Sequence, residues 1–189
     1  MKIFCVGSNK TGITSIEHAV KQLGFSPIPN DKVYSLYLGR GLNHSKENMV
    51  NLFRAFELRG YNYNFFGDIP FNLSKSPIML YEMFPESYFI LVIRDPNKWF
   101  NSVLNWIKKL NCQNMYDWIW KIEFTSSNKT EIINRYHKRN NEIIQFFNHS
   151  PKFLVLDIDE KYKYKKICEF LNKEIINKPF PYENQSLYS

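Results

Sequence analysis

The chain has 189 residues, room for one domain with a sizeable core and too little for two. Hydrophobic residues make up 44% and charged residues 23%, which excludes a disordered or fibrous chain. The 25 Lys and Arg against 18 Asp and Glu leave a net charge of +7, suited to polyanionic ligands without choosing among a nucleotide, a sulfated sugar and a nucleic acid.

In chain order, Lys2 to Val6 is a short β-leaning apolar run that ends at Gly7. Ser15 to Leu23 follows with helical spacing (Ile16, Ala19, Val20, Leu23) and stops at Gly24, a C-cap residue. Phe25 to Ile28 reads as a second short strand, closed off by Pro27 and Pro29. Ser45 to Arg59 is an amphipathic helix on Met49, Leu52, Phe53 and Phe56. Tyr63 to Phe66 reads as a strand into the loop Gly67-Asp68-Ile69-Pro70, and Leu73 to Phe84 is helical in period. Tyr88 to Ile93 is the clearest strand, a continuous apolar run of the kind covered on both faces. Asn97 to Leu110, Met115 to Phe124 and Lys129 to Phe147 are expected helices. Phe153 to Ile158 is a last buried strand, followed by a helix over Tyr162 to Leu171 and an irregular tail from Asn177. Strands alternating with helices predict a three-layer α/β fold, a central parallel sheet flanked by helices, in one domain over residues 1–189.

Three cysteines, Cys5, Cys112 and Cys168, have no metal-ligand spacing, and a reduced compartment is the simplest reading. No segment approaches the roughly 20 apolar residues of a membrane span, and no leader is visible, so the expectation is a cytoplasmic protein. The basic run Lys161 to Lys166 reads as a solvated helix face, and no nucleic-acid partner is expected.

Gly7-Ser8-Asn9-Lys10-Thr11-Gly12-Ile13-Thr14 lies between the first strand and the first helix. Gly7 and Gly12 have the spacing of a nucleotide-binding P-loop, and Thr14 holds its hydroxyl position. Ile13 stands where a nucleoside triphosphatase has lysine, and the lysine is at Lys10 instead. Backbone N–H groups and the positive end of the helix still form an anion cradle. Triphosphate hydrolysis is not expected from such a loop, because the lysine that reaches the β- and γ-phosphates is missing.

Asn9-Lys10-Thr11-Gly12-Ile13-Thr14-Ser15 resembles the 5′-phosphosulfate loop of the sulfotransferases, with Ile13 departing where that family usually carries Thr. Arg94, at the end of the Tyr88 to Ile93 strand, and Ser102, eight residues on, resemble the family's 3′-phosphate contacts. Read alone, Arg94 is a strand-end arginine paired with Asp95 or Glu86; read with the loop, it is a second phosphate contact. Phe153 to Asp157, Ile167 to Leu171 and Phe180-Pro181-Tyr182-Glu183-Asn184 resemble the family's closing elements. The resemblance implies 3′-phosphoadenosine 5′-phosphosulfate as cofactor, held by Asn9, Lys10, Thr11, Gly12, Ile13, Thr14, Ser15, Arg94 and Ser102, and a sulfuryl transfer that needs no metal. Lys10 would assist the leaving phosphate.

The general base is open among three residues. Asp68 is the first choice, since Asp68-Ile69-Pro70 resembles a family segment with a catalytic His before a residue and proline. A free Asp is a weak base, so burial would have to raise its pKa. Glu17 and His18, one helical turn past the loop, are the rivals. His44 reads as a loop or capping residue, and His137 as part of an exposed basic helix face, Arg135 to Arg139. Trp99, Trp106, Trp118 and Trp120 are core by default and pocket-lining by alternative. The expected function is a sulfotransferase acting on a hydroxyl or amine of a small-molecule or glycan acceptor. The alternatives are a non-catalytic relative and a P-loop kinase. Loops such as Asp31 to Asn43 and Asn111 to Lys129 are expected to set the acceptor.

Overall fold

A computed structural model describes residues 1–37 and 44–181. Four strands, β1 (Ile3–Cys5), β2 (Phe65–Phe66), β3 (Tyr88–Ile93) and β4 (Phe153–Asp157), form one sheet in the order β2-β1-β3-β4. Every pairing is parallel, with Ile3 opposite Phe65 and Tyr88, and Phe89 opposite Phe153. Parallel neighbours require crossovers, and the helices supply them on both faces of the sheet.

Alternation along the strands sorts the core into two layers. Ile3, Cys5, Ile90 and Val92 face α1 (Ile13–Gln22) and α8 (Lys163–Phe170), meeting Ile16, Val20 and Ile167. Phe4, Phe89 and Leu91 face the other way, onto Leu52, Phe53 and Phe56 of α3 (Lys46–Leu58), Leu80 of α4 (Ser76–Met83) and Ile143. A third cluster of Trp99, Val103, Tyr116, Phe124 and Tyr136 joins α5 (Pro96–Leu110), α6 (Gln113–Trp120) and α7 (Lys129–Phe146). Large side chains of this kind each contribute about 1.5–3 kcal/mol on burial.

Several boundaries shift for local reasons. The first helix begins at Ile13, two residues before the expected start, because Gly12 takes a left-handed φ of 106° and serves as its N-cap. Ser45 does cap α3, its hydroxyl accepting from Asn48 N–H at 3.2 Å. Asp95 caps α5 by accepting from Lys98 N–H at 2.9 Å, with Pro96 in the first turn. The expected strand at Phe25 to Ile28 does not form; only Pro27 bridges Phe65, with Ile28 N–H donating to the Phe65 carbonyl at 3.0 Å and Phe65 N–H to the Ser26 carbonyl at 3.3 Å. Part of the expected loop after Asn30 is instead α2 (Asn30–Tyr37), while residues 38–43 lie outside the described residues. So does most of the closing segment Phe180 to Asn184, from residue 182 onward.

Candidate functional site

The chain reverses direction across the sheet between β1 and β3, and loops leaving the carboxyl ends of β1, β2 and β3 meet there, the place where open α/β sheets bind ligands. Gly7 leaves β1 so close to β3 that a Cβ on it would lie 2.6 Å from the Val92 carbonyl oxygen. The loop then turns tightly. Thr11 N–H and Thr11 Oγ1 both donate to the Ser8 carbonyl, at 3.2 and 2.7 Å, and Lys10 adopts a positive φ of 68°.

Two side chains from outside hold the turn by its carbonyls. Trp99 Nε1 donates to the Asn9 carbonyl at 3.0 Å, and Arg94 Nη1 donates to the Lys10 carbonyl at 3.2 Å. With the carbonyls taken by these donors, the loop is left to present N–H groups. The helical ladder of α1 opens with Ile16 N–H to the Gly12 carbonyl, so the N–H groups of Ile13, Thr14 and Ser15 precede it, at the positive end of the helix.

A cleft of about 210 Å³ opens over this loop. It gathers Asn9, Lys10, Gly12, Ile13 and Thr14 from the loop, Asp68 from beyond β2, Arg94 from the end of β3 and Ser102 from α5. Two of the loop residues named from sequence do not line it. Thr11 is fully buried with its hydroxyl turned back on Ser8, and Ser15 is buried within α1. Neither Glu17 nor His18 lines the cleft. Asn30, Trp106 and Tyr116 do; the first and last carried no sequence signal beyond polarity and core spacing.

Within the cleft Lys10 Nζ rests 4.0 Å from the centre of the Trp106 ring, a cation–π contact. Burial lowers the Lys10 pKa, and the positive charge of Arg94 adds to the effect. Arg94 pairs with neither carboxylate near it in sequence: Asp95 caps α5, and Glu86 pairs with Lys152. Its Nε is buried without a hydrogen-bond partner, and its backbone N–H and carbonyl both bond the Tyr136 hydroxyl, at 3.1 and 3.2 Å.

Asp68 has a positive φ of 63° and accepts from Ile69 N–H at 2.8 Å and from the Asn9 side-chain amide. Desolvation lifts its carboxyl above the usual range, against those hydrogen bonds and the charge of Lys10. Glu17 is also raised, first by burial, with Asp68 contributing. Cys5, under the loop, is pushed up to about 12 by burial and is a small hydrophobe in function.

Ile13 is no stray substitution. It is a core residue, and its Cγ2 lies 2.8 Å from where a Cβ on Gly67 would sit, so its aliphatic side chain and the bare Gly67 backbone fit one another. The basic stretch Arg135 to Arg139 corrects a simpler expectation. His137 and Lys138 are exposed, but Arg139 is buried, its Nη2 donating to the carbonyls of Val6 at 2.8 Å and Asn72 at 2.7 Å. His44 lies outside the cleft, within 3.1 Å of the Ser76 hydroxyl. Trp99 belongs to the core, as expected by default.

Residues 2–129 and 111–187 match a family model described as a sulfotransferase domain. The chain belongs to the sulfotransferase-domain family. Among solved structures, a sulfotransferase from Alicyclobacillus acidocaldarius is similar at TM-score 0.61 and 12% identity, over 98% of this chain and 85% of that one. A deoxyadenosine kinase from M. mycoides with bound dCTP is similar at TM-score 0.51 and 16% identity, over 91% of this chain and 99% of that one. At such identities both likenesses speak for the P-loop fold alone. No curated protein matches. Within the family fold, no helix among the described residues is long and apolar enough to cross a membrane.

Proposed function

We propose that the chain transfers a sulfuryl group from 3′-phosphoadenosine 5′-phosphosulfate to a hydroxyl or amine of a small-molecule or glycan acceptor in the cytoplasm. The observation that carries this reading is the meeting, in one cleft, of the loop Asn9 to Thr14 with Arg94 and Ser102, which are far apart in sequence. The buried, unpartnered Nε of Arg94 fits an anionic ligand, since such a donor is stable only when something accepts from it.

In this reading Gly12, Ile13 and Thr14 offer backbone N–H groups to the 5′-phosphate, while Arg94 and Ser102 hold the 3′-phosphate. Ser15 acts through its backbone N–H, because its side chain faces inward, while Thr11 shapes the loop, its N–H and hydroxyl both bonded to the Ser8 carbonyl. The bound donor supplies an activated sulfuryl group bridged to the 5′-phosphate. Asp68, raised by burial, accepts the proton of the acceptor hydroxyl or amine. Lys10 moves off Trp106 to counter the negative charge left on the phosphate side. Asn9 orients Asp68 through its amide.

The test is thermal. Adenosine 3′,5′-bisphosphate should raise the melting temperature in EDTA, and ATP with Mg²⁺ should not; a preference for ATP–Mg²⁺ would make the chain a kinase. Binding without any transfer of labelled sulfate to a broad acceptor panel would make it a non-catalytic relative.

A further inference from the structure

A second cleft, also of about 210 Å³, lies beside the first, and Asn9 lines both. Asn9 donates to Asp68 and accepts from the Asn72 amide at 3.2 Å, so a molecule in the second cleft abuts the residue that touches the proposed base. The lining of this cleft is cationic. Lys121, Arg135, Lys138 and Arg139 stand against the single carboxylate of Glu142.

These cations differ in how far they are already engaged. Arg139 is committed to backbone carbonyls, and Arg135 bonds the Trp120 and Lys121 carbonyls and Glu131. Lys121 sits over the Trp118 ring at 4.8 Å. Lys138 is exposed and has no ion-pair partner among the described residues. The cleft floor holds two orphans: Ser8 Oγ and Asn72 Oδ1 are buried, on residues each 4% exposed, with no hydrogen-bond partner. Both residues line the cleft, and a hydroxyl and an amide oxygen buried there without partners fit a polar occupant to which a small turn of either side chain would offer them. Ile119 and Trp120 add an apolar wall.

We infer that the second cleft seats the acceptor, and that the acceptor carries an anionic group, a carboxylate or a phosphate, on an apolar body. This rests on the reading of the first cleft as the donor site. The anion meets Lys138 and Lys121 at the rim, the body lies against Ile119 and Trp120, and a hydroxyl or amine points toward Asn9, where Ser8 and Asn72 gain their missing partners. Charge at the rim selects, and the floor aligns.

The experiment measures binding of phenols and sugars in matched pairs, each acid beside its neutral amide, and separately binding of adenosine 3′,5′-bisphosphate. At least one acid is expected to bind roughly tenfold tighter than its amide, and Lys138→Glu is expected to abolish that preference while leaving bisphosphate affinity intact. Lys138 is exposed, so the variant should fold, which an unchanged melting temperature confirms. If no acid outbinds its amide, or if Lys138→Glu leaves the preference unchanged, the inference is overturned. Acids preferred without any bisphosphate binding would sink the donor reading and leave an anion site; bisphosphate binding without acid preference would do the reverse.

Discussion

Asp68 occupies a backbone conformation that favours Gly and Asn, and its carboxyl is desolvated. Both features make Asp68→Asn informative. Asn keeps an oxygen to accept from Ile69 N–H and a side chain suited to positive φ, but it cannot take a proton. Because the folded-state pKa lies above the unfolded one, the charged carboxylate costs stability above that window. At neutral pH the variant should therefore melt no lower than the parent while sulfate transfer falls by about 10²–10⁴-fold. In the parent, the rate should rise with pH as Asp68 ionises, on a limb displaced upward from the ordinary carboxylate range, and fall again as Lys10 loses its proton below the ordinary lysine range. A pH–rate profile of both proteins checks this. Ile13→Thr asks the complementary question. It returns a hydroxyl to the loop but removes core packing against Gly67, so we expect stability to drop by about 1–2 kcal/mol and bisphosphate affinity to rise a few-fold, measured by calorimetry. Sequence alone marked Ile13 as a departure from two templates. Its reason became visible only when the loop after β2 was placed beside it, because Gly67 is 54 positions away and no local pattern links them.

At the scale of elements, α7 does two jobs that its sequence mixes together. The helix itself was legible from its period, but its packed face, Ile132, Tyr136 and Ile143, runs through the stretch Arg135 to Arg139 that reads as exposed, and Tyr136 is buried there. Arg139 on the same helix was indistinguishable from its exposed neighbours, since a charge in a basic run gives no sign of burial. Its depth follows from two carbonyls at the ends of other elements, Val6 and Asn72, which need a donor there. Burial lowers its pKa only to about 10, so it stays charged at neutral pH. Arg139→Met should fill the space yet strand both carbonyls, costing about 2–4 kcal/mol by denaturant unfolding. The strands were legible for the opposite reason. Tyr88 to Ile93 is apolar on both faces and has no other way to be buried, while Phe153 to Asp157, expected as buried, is an edge strand of mostly half-buried residues. The run Phe25 to Ile28 had the hydrophobicity of a strand but makes only a single bridge to β2.

For the whole molecule, the alternation of strands and helices was enough to anticipate a parallel sheet between helical layers, but not the order β2-β1-β3-β4 that puts the phosphate loop beside Arg94. Strand order depends on crossovers among distant segments, to which hydrophobic pattern is blind. The resemblance in loop residues supplied what pattern did not. Ligand binding to such a fold is a global event. At a bisphosphate concentration 100 times its dissociation constant, the folded state gains about 2.7 kcal/mol, and a chain of this size should melt roughly 5–10 °C higher. Differential scanning calorimetry without Mg²⁺ reads it directly.

Within little more than one turn of α7, Arg135 and Lys138 line the second cleft, Tyr136 holds Arg94 by both backbone groups, and Arg139 braces the strand end beneath the phosphate loop. One helical segment therefore lines the second cleft and bonds a residue of the first. By thermodynamic reciprocity, any influence that an occupant of one has on affinity in the other must be returned in equal measure. If the two clefts hold donor and acceptor, the Tyr136 hydroxyl, bonded to both backbone groups of Arg94, is the contact through which such an influence would pass.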